Sequence, residues 1–415
     1  MPTTEQEKNA LENVFIIQPI LSDNYRELHR EAIALIESAG GAYAGTTYQI
    51  IREINPATFI GSGKLAELNL QLQGLDNITI FFNGDLSPSQ TLNISAALDD
   101  RKVIDRTTLI LDIFARHAQS GEGKLQVELA QLKYIYPRLK GSGIGLSRLG
   151  GGIGTRGPGE TKLESDRRLI RQRIALLSGK MDELKQRREL QRERRKKNGV
   201  KTIALIGYTN TGKSTLMNLF TNADVYVQNQ LFATLDATAR TFSIEDIEYV
   251  LIDTVGFLQD LPHHLIDAFR STLETAIECD LALIVCDASG DYEMQMNTTL
   301  ETLSSLGFSS PYLLVMNKCD LSGIDENCLP PESICISAKT GYGIEALKKK
   351  INDNFAADFL YADLLIPYAD FSNYSKVKKF ITERTVRFTD GGQIISAVVP
   401  KEYYKFFKQY IQAKE

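Results

Sequence analysis

Thr202-Ile203-Ala204-Leu205-Ile206-Gly207-Tyr208-Thr209-Asn210-Thr211-Gly212-Lys213-Ser214-Thr215 reads as an apolar strand, a loop bounded by two glycines and the start of a helix that runs on to Phe220. A strand that enters a helix through G-x-x-x-x-G-K-S makes a phosphate-binding loop. Gly207 and Gly212 let the backbone N–H groups of Tyr208, Thr209, Asn210 and Thr211 curl around a β-phosphate. Lys213 reaches the β and γ oxygens and Ser214 offers its hydroxyl to Mg²⁺. Thr215 lies in the first helical turn, whose positive end favours an anion.

Further elements follow in the order that a guanine-nucleotide domain requires. Tyr249-Val250-Leu251-Ile252-Asp253 is a buried strand ending in a carboxylate. Asp253-Thr254-Val255-Gly256 matches a switch motif in which Asp253 holds Mg²⁺ and the Gly256 N–H senses the γ-phosphate. Thr234 lies in the loop before the hairpin strands Thr241–Glu245 and Ile247–Ile252, and is the candidate to close over Mg²⁺. The expected metal set is therefore Ser214, Thr234 and Asp253, and the expected catalytic set Lys213, Thr234 and Gly256. After a strand from Tyr312 to Met316, Asn317-Lys318-Cys319-Asp320 sets Asn317 and Asp320 to read a guanine edge. After Ile334–Ile336, Ser337-Ala338-Lys339 brings a backbone N–H to the guanine oxygen. Phe257 stands where many such domains carry a Gln. A phenyl ring cannot position water, so GTP hydrolysis is expected to be slow until another component completes the site. Asn210 resembles the loop Asn of GTPases that use K⁺ in place of an arginine finger; a plain hydrogen bond within the loop is the other reading.

The chain has 415 residues, enough for about three domains. Hydrophobic residues make up 43% and charged residues 24%, which suits soluble globular protein rather than disorder. Met1–Ala10 lacks the basic start and apolar run of a signal peptide, and no apolar stretch is long enough to span a membrane, so a cytoplasmic protein is expected. The five cysteines, from Cys279 to Cys335, and the four histidines show no metal-ligand spacing. Net charge is −5, yet Lys124 to Lys197 holds 20 Lys or Arg against 8 Asp or Glu, a local +12 that leaves −17 elsewhere. A basic block on an acidic chain points to a polyanionic partner for that block.

The first 120 residues alternate strand and helix patterns: Val14–Ile20 and Asn24–Ser38, Tyr48–Ile54 and Leu65–Leu75, Ile78–Phe82 and Gln90–Leu98. Such alternation implies a parallel sheet. Gly61-Ser62-Gly63-Lys64 reads first as a helix-start turn, with a phosphate cradle as the alternative. Heptad spacing through Leu125, Leu129, Leu132, Tyr136 and Leu139, and again through Leu163, Ile170, Ile174, Leu177, Met181 and Leu184, predicts an antiparallel helical hairpin, the second helix running from Lys162 to Lys197. Between them, Gly141–Gly159 contains 9 Gly among 19 residues, with Arg148 and Arg156 as its charges. A loop of that length and composition at a hairpin tip reads as a binding finger. The tail, Ala356–Glu415, reads as strand Leu364–Tyr368, helix Tyr374–Glu383, strands Val386–Thr389 and Ile394–Val399, and helix Lys401–Ile411.

Asn55-Pro56-Ala57-Thr58-Phe59-Ile60-Gly61-Ser62-Gly63-Lys64, Asp105-Arg106 through Asp112-Ile113-Phe114-Ala115-Arg116-His117-Ala118, Gly151 through Thr161, and Phe232-Ala233-Thr234-Leu235-Asp236 resemble the HflX family of ribosome-associated GTPases over roughly residues 11–355. The resemblance implies GTP/GDP and Mg²⁺ as ligands, with Phe232 and Ala233 joining the nucleotide contacts. It implies the large ribosomal subunit and its rRNA as partners, a finger reaching toward the peptidyl-transferase region, and a task in splitting or rescuing stalled ribosomes. Some members are thought to bind ATP in the N-terminal domain, so the alternative is an ATP-driven rRNA remodeller or assembly factor. A monomer is expected, with neither DNA nor a membrane as partner. Ala237 departs from the family's usual Pro, and the last 60 residues match weakly. The expected fold is α/β: an N-terminal α/β domain (1–123), the hairpin (124–199), a P-loop GTPase domain (200–355) and a small α+β domain (356–415).

Overall fold

The computed structural model describes residues 11–75, 77–139, 158–197, 199–221, 231–232, 238–259, 262, 265, 277–323 and 329–411. The chain groups into two compact units, Met1–Lys185 with Gln228–Asp236 and Leu258–Ser271, and Gln186–Val227 with Ala237–Phe257 and Thr272–Glu415.

In the first unit β1 (Glu12–Ile20), β2 (Gly41–Ile50), β3 (Ile78–Phe82) and β4 (Val103–Asp105) form a parallel sheet in the order β2-β1-β3-β4. β3 reads ITIFF and is buried throughout, as a central parallel strand covered on both faces must be. Helices α1 (Tyr25–Ser38), α2 (Ser62–Gln71), α3 (Pro88–Ala97) and α4 (Arg106–His117) connect or follow the strands. Leu65, Leu68 and Ile94 pack onto Ile17, Ile80 and Phe82. Ser87 and Gln90 form a reciprocal capping box and Pro88 opens the first turn, which fixes where α3 starts. The strand expected over Tyr48–Ile54 begins earlier and ends at Ile50. Pro56 lacks a donor, and Asn55 and Phe59 instead exchange main-chain bonds of 3.1 and 2.7 Å, with Phe59 at φ +66.

Arg106, at the start of α4, is buried. It donates to Asn83 Oδ1 at 2.8 Å and to the Gln259 carbonyl at 2.9 Å, and it pairs with Glu31. Leu231 N–H donates to Ser38 Oγ at 2.9 Å, and the Phe232 ring meets Phe114 edge-on at 4.5 Å. The short segments around 231–232 and 258–259 are thus held by the N-terminal sheet and its helices.

α5 (Gly121–Arg138) is capped by Ser120, and α6 (Pro158–Lys197) is one continuous helix of 40 residues. Arg173 forks onto Glu128 at 2.7 and 2.9 Å, and Arg171 donates to Tyr136 at 2.6 and 3.0 Å, so the two helices touch in antiparallel order. Leu177 is the fully buried member of the α6 seam. The finger expected over Gly141–Gly159 falls outside the described residues but for the backbone of its last two.

The second unit carries a six-stranded sheet in the order β10-β9-β8-β5-β7-β6, formed by β5 (Lys201–Gly207), β6 (Thr238–Ile244), β7 (Ile247–Asp253), β8 (Leu281–Asp287), β9 (Tyr312–Asn317) and β10 (Ile334–Cys335). Only β6 runs antiparallel. Among its helices are α7 (Lys213–Thr221), α8 (Tyr292–Ser305), α9 (Cys319–Ser322) and α10 (Ile344–Phe355).

The tail forms an antiparallel sheet, β11 (Phe359–Pro367), β13 (Gly392–Pro400) and β12 (Thr382–Thr389). Phe359 and Val398 join the core around Phe355 and Ile351. Two expected helices are shortened. The first ends at Val377 in α11 (Phe371–Val377), because Thr382 and Glu383 pair with Val398 and Ala397 of β13. The second is reduced to α12 (Tyr404–Phe407), because Ile411 bridges back to Leu364.

Arg106→Met would remove the bonds to Asn83 and Gln259 and the ion pair with Glu31 together, and breaking a buried ion pair costs about 3–5 kcal/mol. A urea titration should show an earlier unfolding midpoint in Arg106→Met than in the wild type. An unchanged midpoint in the single variant would contradict the clamp.

Candidate guanine-nucleotide site

Ligands of open parallel sheets bind beyond the carboxyl ends of the strands, and the expected residues collect there at β5, β7, β8, β9 and β10. The phosphate loop is fixed by close backbone approach. A Cβ on Gly207 would lie 2.2 Å from the Val285 carbonyl oxygen, and one on Gly212, at φ +94, would lie 2.2 Å from Asn317 Nδ2. Asn210 also takes a positive φ of +59. Thr211 donates to the Tyr208 carbonyl at 3.1 Å, closing the loop on itself.

Lys213 Nζ is buried and donates to the Gly207 and Tyr208 carbonyls at 3.1 and 2.6 Å. Burial lowers its pKa to about 8, with Asp253 pulling the other way. Among the described residues it has no ion-pair partner, so a polyphosphate suits this buried cation. Ser214 Oγ donates to Asp253 Oδ2 at 2.7 Å. A hydroxyl beside a carboxylate is a hard-oxygen pair that fits Mg²⁺, which when bound would neutralise phosphate charge. Among the described residues no cluster of three or more His, Cys, Asp or Glu could hold a metal, so the Mg²⁺ assignment rests on this pair and the phosphates.

Thr254 and Val255 are buried, and Thr254 Oγ1 donates to the Leu205 carbonyl at 2.7 Å. The motif then closes on the phosphate loop: Phe257 N–H donates to the Gly207 carbonyl at 3.0 Å and Thr209 N–H to the Phe257 carbonyl at 2.8 Å. The Phe257 ring lies in the apolar cluster with Ala204, Ile206 and Ile284. Gly256 has no room for a side chain, since a Cβ there would meet Thr209 Cα at 2.7 Å and Lys213 Nζ at 3.0 Å.

On the base side, Asn317 is a brace. Its Oδ1 accepts the Ala338 N–H at 2.9 Å and its Nδ2 donates to the Thr211 carbonyl at 2.7 Å, tying the phosphate loop to the β10 loop. Ser337 is buried and accepts the Thr340 N–H at 3.2 Å, while Asp320 and Lys339 are exposed. Lys318, at φ +63, reaches Asn210 O at 2.9 Å and Asp287 Oδ2 at 2.6 Å. Asp287 was not among the expected residues. Its signal was available, since it ends the apolar run Leu281–Cys286 just as Asp253 ends Tyr249–Ile252.

Thr215 follows Ser214 in the first turn of α7. Phe232 spends its ring on Phe114, and Ala233 and Thr234 lie outside the described residues. Burial pushes the Cys279 and Cys286 thiols up to about 12, so neither supplies a thiolate at neutral pH. In the N-terminal domain the Gly61–Lys64 turn starts α2, with Gly61 N–H on Gln49 Oε1 at 3.3 Å and Lys64 paired with Glu67 at 2.9 Å. No described helix is long and apolar enough to cross a membrane.

Three family models match in succession: a GTP-binding GTPase N-terminal region over 26–115, a GTP-binding GTPase middle region over 117–195, and a 50S ribosome-binding GTPase over 202–318. The chain is 43% identical over 406 residues to GTPase HflX of Caldanaerobacter subterraneus subsp. tengcongensis, covering 96% of this chain and 94% of that one. It is 40% identical over 375 residues to GTPase HflX of Escherichia coli K12, covering 87% and 86%. Among solved structures, a GTP-binding protein from Sulfolobus solfataricus in complex with GDP matches at 26% identity and TM-score 0.44, covering 84% of this chain and 99% of that one.

Two outcomes are expected of this site. Polyphosphate beside Lys213 raises its pKa, so the bound state holds more protons above pH 8 and GTP affinity should fall by up to about tenfold per pH unit there. Fluorescent-nucleotide titrations from pH 7 to 9.5 check this, and a flat profile would exclude the linkage. Asp320→Asn should shift preference from guanosine to xanthosine nucleotides in competition binding, whereas unchanged GTP preference would remove Asp320 as a base reader.

Proposed function

Since the chain belongs to the HflX family of GTPases, we propose that it uses GTP to engage the large ribosomal subunit and to split or rescue stalled ribosomes. It is a GTPase, and its phosphate loop, Ser214–Asp253 pair and Asn317 brace are the parts that such hydrolysis uses. The observation that carries the reading is Phe257. Its ring is buried in the core and only its main chain meets the phosphate loop, so the side chain after Gly256 holds no water. Turnover is therefore slow in the protein alone, and ribosome binding supplies the order or the group that speeds it.

The ribosome side of the reading is supported by the 50S ribosome-binding GTPase match and by α6. Arg187, Arg194 and Lys197 are exposed, and Arg192, paired with Glu278, is also at the surface. A basic rod of this kind suits rRNA phosphates, with the Gly-rich loop Gly141–Gly159 supplying specificity by folding onto an irregular RNA pocket. The protein acts as a cytoplasmic monomer in this reading. Potassium near Asn210 and ATP in the N-terminal domain are secondary proposals. The first is checked by turnover in K⁺ against Na⁺, and the second by titrating ATP into the full chain.

Binding is tested by pelleting the protein with large subunits, small subunits and intact ribosomes in a non-hydrolysable GTP analogue. Retention by the large subunit is expected, and none by any particle would refute the partner. Ribosomes should raise turnover at least tenfold; fast turnover without them would contradict the role of Phe257. Replacing Gly141–Gly159 with a short Gly-Ser turn should spare GTP binding and impair splitting. Undiminished splitting would make the segment a linker.

A further inference from the structure

The side chain after Gly256 contributes no polar atom, so a water-holding group must come from elsewhere in the pocket or from a partner. Within the phosphate loop one candidate stands apart. Thr209 is more than nine-tenths buried, and its Oγ1 has no hydrogen-bond partner among the described residues. Leaving a buried hydroxyl unpaired is destabilising, so such a group calls for an explanation. Other polar groups of the loop are engaged: Thr211 Oγ1 on the Tyr208 carbonyl, Lys213 Nζ on two carbonyls, and Ser214 Oγ on Asp253.

Thr209 also lies beside Gly256, whose N–H the assigned site turns to the γ-phosphate. Its Cγ2 is 2.8 Å from the point a Cβ on Gly256 would occupy, and Lys213 Nζ is 3.0 Å from that same point. The Thr209 N–H is fixed on the Phe257 carbonyl at 2.8 Å. A β-branched side chain has little χ1 freedom, and here its methyl group is packed toward Gly256, so the direction of the hydroxyl is set by the backbone. The position combines a clamped main chain, a restricted rotamer and an unpaired buried hydroxyl on a residue whose Cα and methyl group pack against Gly256.

We propose that Thr209 Oγ1 is the group that takes over from the missing glutamine, hydrogen-bonding the γ-phosphoryl group of GTP and the water that attacks it. This deepens the GTPase reading and rests on the assigned nucleotide site, not on the ribosomal role. The hydroxyl gains its partner with GTP and not with GDP, so Thr209 discriminates the two nucleotides as well as aiding hydrolysis. In the reaction the water oxygen bonds to the γ-phosphorus while the bond to the β,γ-bridging oxygen breaks. GDP leaves as the anion, and the water proton goes to inorganic phosphate.

The test uses the full chain without ribosomes, as wild type, Thr209→Val and Thr209→Ser. GDP and a β,γ-imido GTP analogue are titrated with Mg²⁺, and single-turnover GTP hydrolysis is followed. Thr209→Val should bind GDP within about twofold of wild type, bind the analogue roughly tenfold more weakly, and hydrolyse GTP roughly tenfold to a hundredfold more slowly. Without nucleotide its Tm should equal or exceed that of wild type, since an unpaired buried hydroxyl has been removed, while the analogue should raise that Tm less. Thr209→Ser should retain discrimination and turnover. A wild-type analogue-to-GDP ratio and rate in Thr209→Val would overturn the proposal. So would equal loss of GDP and analogue binding, which marks a packing role, or a Ser variant as impaired as Val. Failure of the wild type itself to bind GDP would overturn the site assignment together with the proposal.

Discussion

An ammonium group buried without an ion-pair partner among the described residues sets the terms for the GTPase domain. Lys213 Nζ is sheltered from water and among the described residues donates to two loop carbonyls, and burial lowers its pKa to about 8. Removing a cation from water costs several kcal/mol unless opposite charge replaces the lost hydration. Two carbonyl dipoles offset part of that cost, and Asp253, shared with Ser214, offsets a little more. The rest calls for the polyphosphate. The close approaches of Gly207 to Val285 and of Gly212 to Asn317 keep the loop in the one shape that presents the amine. Affinity and loop order are therefore two faces of one electrostatic demand.

A second arrangement concerns the segments that flank the switch motifs. Gln259 follows closely on Gly256 in the chain, and its carbonyl is held by a buried Arg106 that also serves Glu31 and Asn83. Leu231 and Phe232, just before Thr234, are held by Ser38 and Phe114. The Arg106 network is buried and charged, so it keeps a single geometry or breaks as a whole.

The phosphate loop, Asp253–Gly256, Asn317–Asp320 and the parallel N-terminal sheet were legible because their signals are local: fixed spacing, strand-end position, and alternation of strand and helix. The role of Asn317 as a brace was not legible, because it depends on Thr211 and Ala338, which are remote in sequence. Asp287 was missed for a simpler reason, as no motif names the end of β8. In the tail the helix expected over Tyr374–Glu383 stops short, because Thr382 and Glu383 pair with β13, and a tertiary contact of this kind is not written in the local pattern. The early start of β2 was hidden by Gly41 and Gly45, although Gly41 pairs in register with Glu12 and a register shift between Val14 and Phe15 precedes the pairing of Gly45.

The long helix α6 has a consequence of a different kind. Its 40 residues span about 60 Å, yet of its described side chains Leu177 alone is fully buried. Such a rod draws little support from a core, so its persistence follows the balance of repulsion and attraction among its own charges. Near its end Arg187, Arg188, Arg192, Arg194, Arg195, Lys196 and Lys197 outnumber Glu189 and Glu193. This is a short polyelectrolyte: added salt relaxes its self-repulsion, and condensed phosphate does so more strongly. Whatever polyanion lies along it also removes the like-charge penalty on the helix, so helical stability becomes a property shared by the rod and its ligand.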